Sequence, residues 1–360
     1  MSDRPDTLAS LRAAIDAVDV RMLELLNERA GLAERVGVVK RATEPDAQVY
    51  RPEREAQVVR GLAERNRGPL PDEAIGHVYR EIMSACRALE RTATVSFLGP
   101  EGTYSELAVI RRFGRSVTRR PSANIDEIFR DVESKASDFG IVPIENSTEG
   151  AVNRSLDLMV NSPLRICGEV SLPVDHHLLT RSGTIDGVTR VCAHPQALAQ
   201  CFEWLTRHQP TLERIPVASN GLAAQMAADD PTIAAIAGDL AVERYGLVPV
   251  ATHIQDLARN ITRFAVIGSI ATNASGRDRT SIVFSVANKA GAVHEALEPL
   301  ARHDVSMTRF ESRPSRTGMW VYHFYIDVDG HESDPPVRAA LEELKAGAGF
   351  FKILGSYPLA

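Results

Sequence analysis

From Leu8 onward the apolar side chains fall at Leu8, Leu11, Ile15, Val18, Met22, Leu25, Leu26, Leu32 and Val36, three and four residues apart, with no proline before Pro45. That spacing predicts one long amphipathic helix. At 1.5 Å per residue it extends roughly 50 Å, too far for the two shorter helices predicted behind it, at residues 52–66 and 71–90, to cover. A partner copy along the long helix is therefore implied. Pro52 suits a first helical turn, and Gly68-Pro69-Leu70-Pro71 breaks the chain before Asp72 and Glu73 open the third helix.

Beyond residue 92 the pattern changes. Short apolar runs such as Thr94-Val95-Ser96-Phe97-Leu98 and Phe139-Gly140-Ile141-Val142-Pro143-Ile144 alternate with helical stretches, and polar residues gather where the runs end. Ser105 reads as the cap of the first of these helices. The alternation predicts an α/β unit over residues 93–272 with functional loops at its strand ends. An apolar strand opening with Thr262-Arg263-Phe264 returns after a long excursion, which implies two lobes with a cleft between them. Residues 271–278 have linker composition, and a third unit follows at 279–360. Strands at 280–286, 305–310, 320–327 and 351–354, with helices at 291–303 and 336–345, give a βαββαβ order: an α+β sheet with helices on one face.

Composition removes several functions. With 360 residues and 44% hydrophobic content each unit has material for a core. The net charge of -6 and pI near 6.0 come from mixed charges, without the basic field that nucleic-acid binding needs. No apolar run approaches the ~20 residues of a membrane span, and Met1-Ser2-Asp3-Arg4-Pro5-Asp6 lacks a signal-peptide core, so neither partner is expected and the cytoplasm is the expected location. Cys86, Cys167, Cys192 and Cys201 are scattered and read as buried small hydrophobes, not metal ligands. The adjacent His176 and His177 point to opposite faces of a strand, which predicts one packed and one exposed ring rather than a metal pair.

The candidate chemistry lies in the polar residues set into these elements. Leu11-Arg12, Ile15-Asp16, Leu25-Leu26 with Arg29, Val36-Gly37 with Lys40, and Arg54-Glu55 together resemble the all-helical chorismate mutases, in which two chains interlock through the long helix. The resemblance implies that Arg12 of one chain and Arg29 of the other clamp the substrate carboxylates. Lys40 and Glu90 would face the ether oxygen, and Arg54 and Glu55 would complete the pocket, with Glu55 near the substrate hydroxyl. Arg51 stands where the family often has aspartate, Cys86 where it has a small polar residue, and Glu90 where some members have glutamine; these are expected to line the same pocket. Only a protonated Glu90 carboxyl donates to an ether oxygen.

In the α/β unit, Gly99-Pro100-Glu101-Gly102-Thr103-Tyr104-Ser105, Pro143-Ile144-Glu145-Asn146-Ser147-Thr148-Glu149-Gly150, Asp175-His176-His177-Leu178-Leu179, His194-Pro195-Gln196 and Thr262-Arg263-Phe264 resemble the prephenate dehydratases. A two-lobed fold similar to periplasmic binding proteins follows from that resemblance. It also implies Thr262 as the principal catalytic hydroxyl, with Asn146 and Gln200 as polar partners. Arg263 reads as the carboxylate anchor, supported by Ser147, Thr148 and Thr103. In the last unit Gly291-Ala292-Val293-His294 and Glu311-Ser312-Arg313-Pro314 resemble the effector-binding motifs of ACT domains, which implies L-phenylalanine bound between chains as feedback inhibitor. The whole chain is thus similar to the bifunctional chorismate mutase/prephenate dehydratases, homodimers or larger assemblies that need no cofactor. Two other readings remain open from the residues: a dehydratase with a purely structural helical arm, and a non-catalytic two-lobed solute sensor.

Overall fold

The computed structural model describes residues 7–43, 50–257, 259–315 and 322–359. The long helix forms as expected, as α1 (Leu8–Thr43), followed by α2 (Pro52–Ala63) and α3 (Asp72–Glu90). Along α1 the apolar positions remain open in the single chain: Leu11 is 46% exposed, Ile15 59%, Leu25 61% and Val36 50%. The helical unit docks on the rest through Tyr50, whose ring packs 4.9 Å from Phe113 and 5.1 Å from Phe139.

The second unit has two lobes. The first carries β1 (Thr94–Leu98), α4 (Tyr104–Phe113), β2 (Thr118–Ser122), α5 (Ile125–Glu133), β3 (Phe139–Asn146), β4 (Gly150–Ala151), α6 (Asn153–Asn161) and β5 (Arg165–Pro173). The chain then crosses to the second lobe, built from β6 (His177–Thr180), β7 (Arg190–Ala193), α7 (Pro195–Gln200), α8 (Phe202–His208), β8 (Glu213–Pro216), α9 (Asn220–Asp229), β9 (Ile233–Ala237), α10 (Asp239–Tyr245) and β10 (Val248–Ala251). It returns as β11 (Ile261–Gly268), which inserts antiparallel between β3 and β5 in the order β2-β1-β3-β11-β5. The second sheet runs β10-β6-β9-β7-β8. The two crossings are tied together: Val174 N–H donates to the Asn260 carbonyl at 2.8 Å, and Ile254 N–H to the His176 carbonyl at 2.8 Å. His176 and Asn260 therefore sit at the base of the cleft.

Two local expectations change. Thr103, not Ser105, caps α4, its hydroxyl accepting from Glu106 N–H at 3.4 Å, because Gly102 at φ +80° turns the chain into the helix two residues early. His176 and His177 are both buried, at 1% and 2% exposure, instead of one packed and one exposed. The strand alternation holds, but at a crossing between lobes both faces are covered.

The third unit comprises β12 (Asp278–Ser285), α11 (Ala292–Arg302), β13 (Met307–Pro314), β14 (Tyr322–Asp329), α12 (Pro335–Gly347) and β15 (Phe350–Pro358). Its antiparallel sheet has the order β13-β14-β12-β15. Trp320, expected to begin the third strand, lies outside the described residues. One sheet face packs under α11 and α12 through Ile282, Phe284, Leu300 and Leu341. The other face joins the core of the first lobe, where Val283, Tyr325, Leu354 and Tyr357 pack with Ile128, Met159 and Ile166. Gly355 makes that docking close, since a Cβ there would run into the backbone of Ile166. Gly355→Ala is expected to lower stability by about 1–3 kcal/mol through overpacking, read as a reduced midpoint of denaturant unfolding. Among the described residues no helix is long and apolar enough to cross a membrane.

Candidate active sites

A cavity of about 600 Å³ fills the cleft between the two lobes. Its floor is the first turn of β11 against the end of β3, where Thr262 lies directly opposite Asn146. The orientation of the Asn146 amide follows from its oxygen. Oδ1 accepts from Thr148 N–H at 3.0 Å, Thr148 Oγ1 at 2.6 Å and Glu149 N–H at 3.1 Å. With three donors on the oxygen, Nδ2 must face the other way, and it donates to Thr262 Oγ1 at 2.9 Å and Asn260 Oδ1 at 2.7 Å. The Thr262 hydroxyl is thus occupied as an acceptor and its own proton is left to donate.

The chain of amides continues. Asn260 Nδ2 donates to Gln200 Oε1 at 3.0 Å, and His176 Nε2 lies 2.9 Å from the same oxygen. An oxygen can only accept, so His176 carries its proton on Nε2, and Gln200 Nε2 faces Thr148 Oγ1 at 3.4 Å. Burial holds the His176 pKa below the usual imidazole value, outweighing the hydrogen bond to Gln200, so the ring is neutral at pH 7. Tyr104, which also lines the cavity, donates to the Asp175 carbonyl, and burial together with Asp175 raises its phenol pKa.

No lysine or arginine lines this cavity among the described residues. Positive potential comes instead from helix starts. Thr103 and Ser105 place the N-terminus of α4 on the cavity, and Ser219 and Asn220 that of α9, where Ser219 caps by accepting from Leu222 N–H at 3.1 Å.

Of the expected residues, Thr262, Asn146, Gln200 and Thr103 meet at this cavity. Ser147 and Thr148 lie behind it, Ser147 Oγ accepting from Ile261 N–H at 2.9 Å. Arg263 does not face the cavity. Successive strand residues alternate in direction, so the neighbour of Thr262 points through the sheet. There it meets Glu169 at 2.8 Å and Glu145 at 3.3 Å from the first lobe and Asp327 at 2.7 Å from the third unit, with Tyr357 Oη at 3.2 Å. Burial opposes the Arg263 charge, but Tyr357, Asp327 and Glu169 together raise its pKa. Its expected role as carboxylate anchor is corrected to a buried ionic joint between two units. Asn260 and His176 join the site without being expected from the sequence, although they neighbour Thr262 and Asp175 in the chain.

In the helical unit, α1 and α3 bring four expected residues to one seam. Arg29 Nη1 donates to Cys86 Sγ at 2.9 Å. One helical repeat further, the Glu90 carboxyl lies over Gly37, where a Cβ would stand 2.7 Å from Oε2, and Lys40 follows on the same face of α1. Arg12, Arg51 and Arg54 are exposed. Glu55, expected near a substrate hydroxyl, instead pairs with Arg87, which donates from Nη2 to the Phe113 carbonyl at 2.6 Å. That pair faces the junction with the two-lobed unit.

In the third unit, Gly291 is the N-cap of α11 at φ +81°, followed by buried Ala292, half-buried Val293 and exposed His294. Glu311, Ser312, Arg313 and Pro314 end the edge strand β13. Ser312 pairs with Phe324, and Phe324 with Phe284, so the two motifs lie two strands apart at one end of the sheet. Arg313 reaches back to α6, donating to the Asn153 carbonyl at 2.5 Å and pairing with Asp157 at 3.2 Å.

Residues 95–272 match the prephenate dehydratase family, residues 11–91 the type II chorismate mutases, and residues 280–346 the ACT domain. A bifunctional chorismate mutase/prephenate dehydratase from Stutzerimonas stutzeri is 48% identical over 359 residues, covering 99% of this chain and 98% of the relative. The chain belongs to the bifunctional chorismate mutase/prephenate dehydratase family. A member from Escherichia coli K12 is 32% identical, with 98% and 96% of the two chains covered. Among solved structures, a prephenate dehydratase from Arthrobacter aurescens in complex with L-Phe is 33% identical, with a TM-score of 0.68, and covers 74% of this chain and 90% of its own. The helical unit is the chorismate mutase domain, the two-lobed unit the prephenate dehydratase domain, and the βαββαβ unit the ACT domain.

Proposed function

We propose that this chain rearranges chorismate to prephenate in its helical domain, taken as residues 1–92, and converts prephenate to phenylpyruvate in the two-lobed domain, taken as residues 93–272. The observation that carries the second activity is the Thr262 hydroxyl, clamped as an acceptor by Asn146 with its proton free toward the cavity. Prephenate loses its ring carboxylate as CO₂ and its ring hydroxyl as hydroxide, which solvent protonates to water. The electron pair left by CO₂ enters the ring as the C–O bond breaks, and aromatisation drives the step. A threonine hydroxyl is too weak an acid to surrender its proton, so Thr262 donates a hydrogen bond to the departing oxygen. Asn146, Asn260, Gln200 and neutral His176 hold that donor in place, and the helix starts at Thr103 and Ser219 receive the carboxylates.

The first activity is a pericyclic shift without nucleophile or cofactor. Arg29 with Cys86, and Lys40 with Glu90, supply one side of a pocket that Arg12 of a partner chain completes, with Arg51 and Arg54 on its rim. The exposed apolar stripe of α1 supports a homodimer at least. For the ACT domain, residues 279–360, the L-Phe-bound relative supports L-phenylalanine as effector at Gly291-Ala292-Val293-His294 and Glu311-Ser312-Arg313-Pro314 of adjoining chains. The joint from Arg263 to Asp327 and Tyr357 lies one residue from Thr262, a short route from effector domain to catalytic hydroxyl. The cytoplasm is the location that suits such a biosynthetic role.

The test is two assays on the purified chain: loss of chorismate, and formation of phenylpyruvate from prephenate. Absence of the second product would overturn the dehydratase reading, and absence of the first turnover would leave the helical arm purely structural.

A further inference from the structure

A second cavity, of about 560 Å³, lies where the mutase domain meets the dehydratase domain. Arg80 of α3, Arg111 and Arg112 of α4, and Arg277 ahead of β12 line it, with His77 beside them. His77 Nε2 stands 3.0 Å from Arg111 Nη1. Of the acidic residues on the wall, Glu73 is largely exposed and lies 3.9 Å from His77, and the other three are engaged elsewhere. Glu169 holds Arg263 and Arg279, each at 2.8 Å; Asp175 accepts from Gln255 at 3.0 Å; and Asp239 faces His177 at 3.0 Å. Among the described residues none of the four arginines has a carboxylate within ion-pair distance. Nε and Nη2 of Arg112 are buried without any hydrogen-bond partner. Burial, then the Arg112 and Arg111 charges, depress the Arg80 pKa, and Glu73 and Tyr50 only partly offset them.

This cavity adjoins the catalytic cleft. Tyr104, Leu107 and Asp239 line both, so the two spaces share a wall in which the Tyr104 phenol is fastened to the Asp175 carbonyl. Among the described residues the catalytic cleft has no lysine or arginine, while the cavity on the mutase side of the wall has four arginines. A substrate with two carboxylates is drawn to the second before the first. We propose that the arginine cavity is a capture site that binds prephenate through its carboxylates, on the mutase-facing side of Tyr104, before the substrate enters the dehydratase cleft.

The proposal rests on the dehydratase reading, so wild-type turnover of added prephenate is measured first. Failure there sinks that reading and not this one alone. In an active enzyme, Arg80→Gln/Arg111→Gln is expected to raise the dehydratase KM for prephenate about tenfold at low salt with kcat retained, and to flatten the fall of kcat/KM with ionic strength. Arg80→Lys/Arg111→Lys should restore most of kcat/KM, because the charge is kept. Arg111 is exposed, so Arg111→Gln alone supplies the same measurement if the double variant loses its cooperative melt. An unchanged KM and salt slope in a folded variant, or a fall in kcat that lysine does not rescue, would overturn the capture site.

Discussion

Thr262→Val is expected to lower dehydratase turnover about 10²–10³-fold while chorismate mutase turnover stays at the wild-type level. Valine keeps the branched shape of threonine and removes the hydroxyl, both the donor to the cavity and the acceptor of the Asn146 amide. Asn146 Nδ2 retains Asn260 Oδ1 as a partner at 2.7 Å, so the amide keeps one of its two bonds and only its second N–H, at the edge of the cavity, loses its acceptor. The fold should therefore survive, and the mutase activity of the same preparation reports that it has. In the proposed mechanism the departing hydroxide, in contrast, loses the hydroxyl that donates to it at the moment its charge develops. Removing a single aligned donor of that kind costs about 3–4 kcal/mol in the transition state and much less in the ground state, so kcat falls more than KM rises. Thr262→Ser should recover most of the loss. Full dehydratase turnover by a folded Thr262→Val enzyme would remove Thr262 from the chemistry.

How far the sequence can be read is clearest along β11 itself. The pairing of Thr262 with Asn146 was legible as two polar strand ends, because apolar runs ending in polar residues mark loops at one edge of a sheet. The direction of Arg263 was not. Strand alternation says that it opposes Thr262, but only the docking of the ACT sheet on that face turns an apparent anion anchor into a buried joint with Asp327 and Tyr357. Glu55 fails in the same way: its position on α2 was readable, and the Arg87 that captures it belongs to a domain junction with no local signal. The secondary structure divides along similar lines. The helix α1, Leu8–Thr43, is a repeat of local spacings legible from Leu8 to Val36. By contrast β2, Thr118 to Ser122, carries two arginines and a proline and has no apolar alternation; it is a strand because β1 offers it a parallel edge. Tertiary pairing decides such segments, and the chain alone does not carry it.

The same separation between local and assembled structure yields the sharpest test of the mutase site. Arg12 and Arg29 lie on one uninterrupted helix, 17 residues apart, a separation of roughly 26 Å along the axis. No single chain can close both on one small substrate. If each site takes Arg29 from one chain and Arg12 from its partner, Arg12→Ala and Arg29→Ala should each lower mutase kcat/KM about 10²-fold or more, since each removes a charged partner from a substrate carboxylate. Mixing the two inactive proteins and allowing subunits to exchange should then restore activity. Random exchange makes about half of the dimers mixed, and in each mixed dimer one site inherits both substitutions while the other has neither, so about a quarter of all sites become wild type. Dehydratase activity, which depends on neither arginine, serves as the internal standard for protein concentration. Recovery toward a quarter of wild-type mutase activity, rising with the time allowed for exchange, is the expected result. A mixture that stays inactive after demonstrated exchange would place Arg12 and Arg29 in the same site or outside it, and the exposed face of α1 would then need another explanation than a shared active site.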